Sequence, residues 1–196
     1  MVNKKKIYSS IKKETSEIIK CFNQSDIITN KNFYHLCARA TESIKKGGKI
    51  IFYGNGGSAA DAQHLATELV VRYKKKRPSL PAISLVTDTS IITATANDIN
   101  FDSIFSRQIE GIGNPGDISI AITTSGNSKN LIKAAKICKK KHIETFCFSG
   151  NKGGKLKKYV DYPIIINSNK TSVIQVMEIS IGQIFCEILE NYFYEK

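Results

Sequence analysis

Fifteen residues, Gly54 to Glu68, join an anion-binding pattern to one that could handle a metal or a proton: G-N-G-G-S-A-A-D-A-Q-H-L-A-T-E. Gly54, Gly56 and Gly57 let the backbone turn tightly and present its N–H groups, and Ser58 is placed as the N-cap of a following helix. The positive end of that helix then faces whatever the loop holds, and a phosphate is the natural guest. His64 and Glu68 are four residues apart, so they stack on one helix face a single turn apart. Each half also has a plainer meaning. Strand-to-helix glycine turns serve packing, this loop is neither G-x-G-x-x-G nor a Walker loop, and an i,i+4 His/Glu pair can be a solvated surface contact. Their closeness on one segment is what favours a site.

These residues must be positioned by an alternation of strands and helices. The apolar run Ile50-Ile51-Phe52-Tyr53 reads as a buried strand feeding the glycine loop. Two helices precede it. One runs from Lys4 to about Phe22 with Ile7, Ile11, Ile18 and Ile19 in phase, the other from Lys31 to about Lys46 with Phe33, Cys37, Ala40 and Ile44, closed by Gly47-Gly48. Pro78 and Pro81 bracket a second strand, Ala82 to Val86, and Thr87-Asp88 caps a helix from about Thr89 to Ala96 that ends at Asn97-Asp98. A helix over about Ser103 to Ile112 runs into the turn Gly113-Asn114-Pro115-Gly116.

The third strand, Ile118 to Ile122, feeds Thr123-Thr124-Ser125-Gly126-Asn127-Ser128, which repeats the logic of the first loop with hydroxyls in place of some glycines. An ordinary N-cap with turn residues accounts for one or two of these hydroxyls but not for the cluster. A helix to about Lys140, strands at Thr145 to Phe148 and Tyr162 to Ile166, and a last helix from Thr171 to about Tyr192 complete the chain. The alternation predicts an α/β fold whose parallel sheet is covered by helices on both faces. Ligands then bind outside the carboxyl ends of the strands, where the polar loops lie. Ile174, Met177, Ile181, Ile184 and Ile188 give the last helix a broad apolar surface that points to a partner helix, with Gln175, Glu178 and Gln183 set into it.

With 196 residues and 41% hydrophobic content, one domain is expected, residues 1–46 as a helical extension and 47–196 as the core. There is no run of about 18 apolar residues, and Met1-Val2-Asn3-Lys4-Lys5-Lys6 leads into an amphipathic pattern rather than a signal-peptide core, so a soluble, cytoplasmic protein is expected. The five cysteines form no C-x-x-C pair and read as buried thiols. The net charge of +12 invites a nucleic-acid partner, but the lysine clusters lack the interleaved aromatics of a single-strand-binding surface. Lysine also travels with abundant Ile and Asn, as codon bias in an AT-rich genome produces. Solvated lysine faces are the better reading, ahead of a nucleic-acid site, and attraction of anionic sugar phosphates is a third.

Taken together, G-N-G-G-S-A-A-D-A-Q-H (Gly54 to His64), R-P-S-L-P-A-I (Arg77 to Ile83), T-D-T-S (Thr87 to Ser90), Asn97-Asp98, F-S-R-Q (Phe105 to Gln108), T-S-G-N-S (Thr124 to Ser128) and Ile174-Gln175 make the chain resemble the bacterial phosphoheptose isomerases. These are sugar-isomerase (SIS) domain proteins acting on sedoheptulose 7-phosphate. The resemblance implies a flavodoxin-like three-layer fold, a homotetramer with sites between subunits, and a zinc in each. It assigns Asn55, Gly56 and Gly57 to substrate contact, Ser58, Thr123, Thr124, Ser125 and Ser128 to the phosphate, and Asn97 and Asp98 to sugar hydroxyls. His64, Glu68 and Gln175 match metal-binding positions. Glu68 also matches the base that would take a proton beside the carbonyl on the way to an enediol.

One departure stands out. The family's last helix continues I-Q-E-x-H and carries a second histidine eight residues after the glutamine, as metal ligand and partner acid. This chain reads Ile174-Gln175-Val176-Met177-Glu178, and the eighth residue on is Gln183, which cannot shuttle a proton near neutral pH. His35 and His142, in a leading helix and a lysine-rich helix end, are expected at the surface or in packing roles. A sister group that associates with the replication initiator DnaA lacks the same histidine, and this makes a non-catalytic adaptor the alternative expectation. A sugar-phosphate-sensing module would keep the hydroxyl cluster and dispense with Glu68.

Overall fold

Short runs of β-branched and aromatic residues between helical stretches place the three central strands in the interior, with half-buried strands at the two edges. In the computed structural model, which describes residues 3–24 and 30–195, β1 (Ile50–Gly54), β2 (Ala82–Ser84), β3 (Ile118–Thr123), β4 (Glu144–Ser149) and β5 (Tyr162–Ile165) form one sheet. All its strand pairs are parallel and the order is β2-β1-β3-β4-β5. Met1 and Val2, part of the stretch weighed against a signal peptide, lie outside the described residues.

Side chains alternate across the sheet with period two. Ile50, Phe52, Ile118, Ile120 and Ile122 face a core shared with α1 (Lys4–Gln24), α2 (Lys31–Lys45), α3 (Gly57–Val70) and α7 (Thr171–Tyr194). Ile51, Tyr53, Ala121 and Cys147 face a second core with α5 (Ser106–Ile112) and α6 (Lys129–Lys140). The three-layer α/β architecture follows from this two-sided burial. Cys138, Cys147 and Cys186 lie in these cores as expected. Burial pushes the Cys138 thiol up to about 11 and the Cys147 thiol up to about 12, so neither is a nucleophile at neutral pH.

Several boundaries differ from the sequence reading. β2 stops at Ser84, although Leu85 still donates its N–H to the Phe52 carbonyl at 3.0 Å. The helix expected from Ser103 is divided into a single 3-10 turn at Phe101–Ser103 and α5. α4 (Thr89–Asp98) carries Asn97 and Asp98 inside its last turn, and Asp88 caps it by accepting from the Ile91 amide at 2.9 Å.

Among the described residues α7 alone is long and apolar enough to cross a membrane, but half of that stretch is packed inside the fold. Val173, Ile174, Met177, Ile181, Phe185 and Leu189 form its buried face. Val176, Ile184, Ile188 and Tyr192 form an exposed stripe at intervals of one or two turns.

Candidate active site

Chain order reverses at β1, with β2 on one side and β3 on the other, and Gly54 lies beside Ile122 in register. The glycine loop and the hydroxyl loop therefore leave the sheet at its switch point, where a crevice opens. Gly56 takes φ +57° at the head of α3, a conformation that disfavours a side chain. The cap falls at Gly56, so Ser58 is inside the helix rather than capping it. Its side chain turns inward and is buried. A Cβ at Gly57 would stand 2.2 Å from Gln175 Nε2, so any side chain there would displace the end of Gln175. The start of α7 thus lies directly on the phosphate-type loop and places Gln175 at the site.

The second loop is held by its own side chains. Thr123 Oγ1 accepts from the Gly126 amide at 3.3 Å and Ser125 Oγ from the Asn127 amide at 3.2 Å. Asn151 donates to the Thr124 carbonyl at 2.9 Å. Ser128 takes the cap position of α6 without a side-chain cap bond. Asn55 and Asn130 exchange two amide hydrogen bonds, at 3.0 and 2.9 Å, that tie the glycine loop to α6. The N-termini of α3 and α6 and the loop residues Ser58, Thr123, Thr124, Ser125 and Ser128 lie at the carboxyl ends of β1 and β3, an arrangement of backbone that suits an anion, although the Ser58 hydroxyl itself points inward to α7.

Sequence reasoning missed one contact at this place. Ser58 Oγ lies 3.2 Å from Oε2 of Glu178, which is fully buried, while Glu178 Oε1 has no hydrogen-bond partner. Burial pushes the Glu178 carboxyl up to about 8; the Asp61 carboxyl adds to the rise, and the Ser58 hydroxyl and Thr123 amide oppose it. Asp61 is likewise raised by burial, against the pull of His64, and its Oδ2 is buried without a partner. The available signal was a glutamate three residues after Gln175, flanked by apolar residues in the most apolar helix of the chain.

His64 Nε2 and Glu68 Oε1 are 2.9 Å apart on the outer face of α3, His64 half exposed and Glu68 largely covered. Arg77 donates to the carbonyls of Glu68 and Leu69, each at 2.7 Å, and so caps the helix turn that carries Glu68. Gln183 is half-buried about 12 Å beyond Gln175 along α7, and among the described residues no hydrogen bond joins it to the His64–Glu68 pair. Asn97 and Asp98 bond to each other at 2.8 Å at the exposed end of α4, and no described hydrogen bond links them to the loops. His35 reaches Glu144 at 3.3 Å and packs its ring at a tilt against Tyr162, at the end of the sheet opposite the loops. His142 follows α6 near the same end, so neither histidine can stand in for Gln183.

His64 and Glu68 offer an imidazole and a carboxylate, but Gln175 and Gln183 offer only amide oxygens. Among the described residues no group of three His, Cys, Asp or Glu side chains converges. Catalytic zinc is ordinarily held by three strong ligands, so this set does not fit a tight zinc site, and no step below is routed through a metal.

A β2-β1-β3-β4-β5 parallel sheet with two polar loops leaving at its switch point defines a three-layer α/β domain, and the SIS domain family model matches residues 16–150. A phosphoheptose isomerase of Sulfurimonas denitrificans is 46% identical over 193 residues, 97% of each chain. One from Akkermansia muciniphila is 46% identical over 154 residues, 79% of this chain and 82% of that one. The solved phosphoheptose isomerase of Neisseria gonorrhoeae superposes with a TM-score of 0.88 at 31% identity, covering 94% of this chain and 99% of that one. The chain belongs to the phosphoheptose isomerase family of SIS-domain proteins. None of these relatives is an initiator-associating protein, and the adaptor alternative gains no support from them.

Proposed function

We propose that the protein is a cytoplasmic isomerase interconverting sedoheptulose 7-phosphate and D-glycero-D-manno-heptose 7-phosphate, as in the supply of heptose for lipopolysaccharide. The observation that carries this reading is the pairing of two anion-suited loops at the switch point with a carboxylate, Glu68, on the helix that leaves the first of them. In the reaction, Glu68 removes a proton from C1 of the ketose to give an enediol and returns it to C2, while the hydroxyl proton passes from O1 to O2. Ser58, Thr123, Thr124, Ser125 and Ser128 hold the phosphate, and Asn55, Gly56, Gly57 and Gln175 line the sugar. Asn97 and Asp98 take sugar hydroxyls. His64, bonded to Glu68, orients the carboxylate. Conversion of sedoheptulose 7-phosphate by the purified protein is the test, and no turnover above a buffer control overturns the reading.

The working form is proposed to be a homotetramer. The exposed apolar stripe of α7 and the exposed Ile7, Tyr8 and Ile11 of α1 support it, because surfaces of this kind are ordinarily covered. Zinc is proposed only as a weakly held ion on His64, Glu68, Gln175 and Gln183, with no part in the chemistry derived above. Gln183→His is expected to raise bound zinc toward one per subunit by elemental analysis. It is also expected to raise kcat at least about tenfold by restoring an acid. A variant unchanged in both would remove Gln183 from the site.

A further inference from the structure

Glu178 stands where the proposed phosphate cradle is held together. Its carboxyl meets the Ser58 hydroxyl of α3 and faces the Thr123 amide at the end of β3, so one side chain spans both loops. It is fully buried, and one of its oxygens has no hydrogen-bond partner. A hydroxyl has a single proton to give. When Glu178 is ionised it can only accept, so it holds the Ser58 proton and leaves that hydroxyl nothing to donate outward.

We propose that Glu178 is a positioning residue for the substrate phosphate: as a neutral acid it donates to Ser58 Oγ and frees the Ser58 proton to turn to a phosphate oxygen. The inference rests on the phosphate reading of the Ser58 loop given above. No covalent bond changes. The carboxyl proton stays on Glu178, and only the direction of the hydrogen bond reverses.

The surroundings favour this state. Burial, and then the Asp61 carboxyl on α3, hold Glu178 at about 8, so the neutral form predominates at neutral pH. From β4 the coupled group is Cys147, a thiol pushed up to about 12 and therefore uncharged. From β3 the Thr123 amide carries no charge, and beyond Asp61 on α3 the next ionisable group is His64. An ionised Glu178 would in addition set a buried negative charge beside the phosphate dianion. The neutral form is lost as pH rises through about 8, so phosphate affinity should fall in that direction.

The test is steady-state kinetics on sedoheptulose 7-phosphate from about pH 6.5 to about 9.5 with the full chain, Glu178→Gln and Ser58→Ala. The amide of Glu178→Gln donates to Ser58 at every pH. Wild-type KM is expected to rise up to about tenfold between pH 7 and pH 9 without a matching change in kcat, and this rise should be absent in Glu178→Gln. Ser58→Ala should show a raised KM with the same flat profile, and it carries the comparison where Glu178→Gln fails to fold. Equal slopes in wild type and the folded variants overturn the proposal and leave the isomerase reading standing. Absence of both turnover and calorimetric binding of the sugar phosphate in wild type overturns the two together.

Discussion

Glu68→Gln is expected to lower kcat for sedoheptulose 7-phosphate about a thousandfold while moving KM by no more than about threefold. The amide keeps the size and planarity of the carboxylate, so packing beside His64 and the carbonyl bonds from Arg77 are preserved. What it loses is the ability to hold a proton taken from carbon, because an amide has no basic oxygen near neutral pH. Substrate affinity in this reading comes chiefly from the phosphate at Ser58 and Thr123 to Ser128, about 15 Å away along α3 at its start, and should survive. The split between the two constants is the informative readout. A lost base removes an interaction made only in the transition state, whereas a lost binding group raises KM. Retention of more than about a tenth of wild-type kcat would assign the proton transfer to another group.

The order of elements was legible because strands buried on both faces read as continuous apolar runs and helices as amphipathic ones. The loops were legible because glycine and hydroxyl clusters at strand ends have few structural uses. The orientation of Ser58 was not. A serine directly after a glycine pair looks like a cap, and only the φ of Gly56, which lets the helix begin two residues earlier, turns that hydroxyl inward. The fit of Gly57 against Gln175 and of Ser58 against Glu178 depends on where α7 crosses α3, a contact between residues more than a hundred positions apart. Periodicity carries no information on such a crossing. The same limit hid the partner of Arg77, seen in the sequence only as part of a motif.

That partner defines the second large effect. Arg77→Ala or Glu190→Ala is expected to cost about 3–5 kcal/mol, because each leaves the other charge buried and unpaired. For a chain of this length that corresponds to a fall in Tm of about 10 °C or more. Both side chains are 1% exposed, and Arg77 Nε donates to Glu190 Oε2 at 2.8 Å. Glu190 also accepts from the amides of Tyr73, Lys74 and Lys75, at 3.0, 2.7 and 2.8 Å. Burial alone would push its carboxyl up. The three amides and the guanidinium more than offset this and hold it at about 2. A carboxyl depressed in the folded state contributes stability that is present above its unfolded value near 4.5 and is lost as pH falls toward 2, and the size of the shift corresponds to about 3 kcal/mol. Wild-type Tm should therefore fall steeply between about pH 5 and pH 2, and Glu190→Gln should start lower and fall less. Because Arg77 also caps the turn bearing Glu68, its loss should lower kcat together with Tm, whereas a variant that melts early but keeps full kcat would separate the cap from the site. Parallel melting curves for Glu190→Gln and wild type across that pH range would mean that acid lability originates elsewhere in the fold.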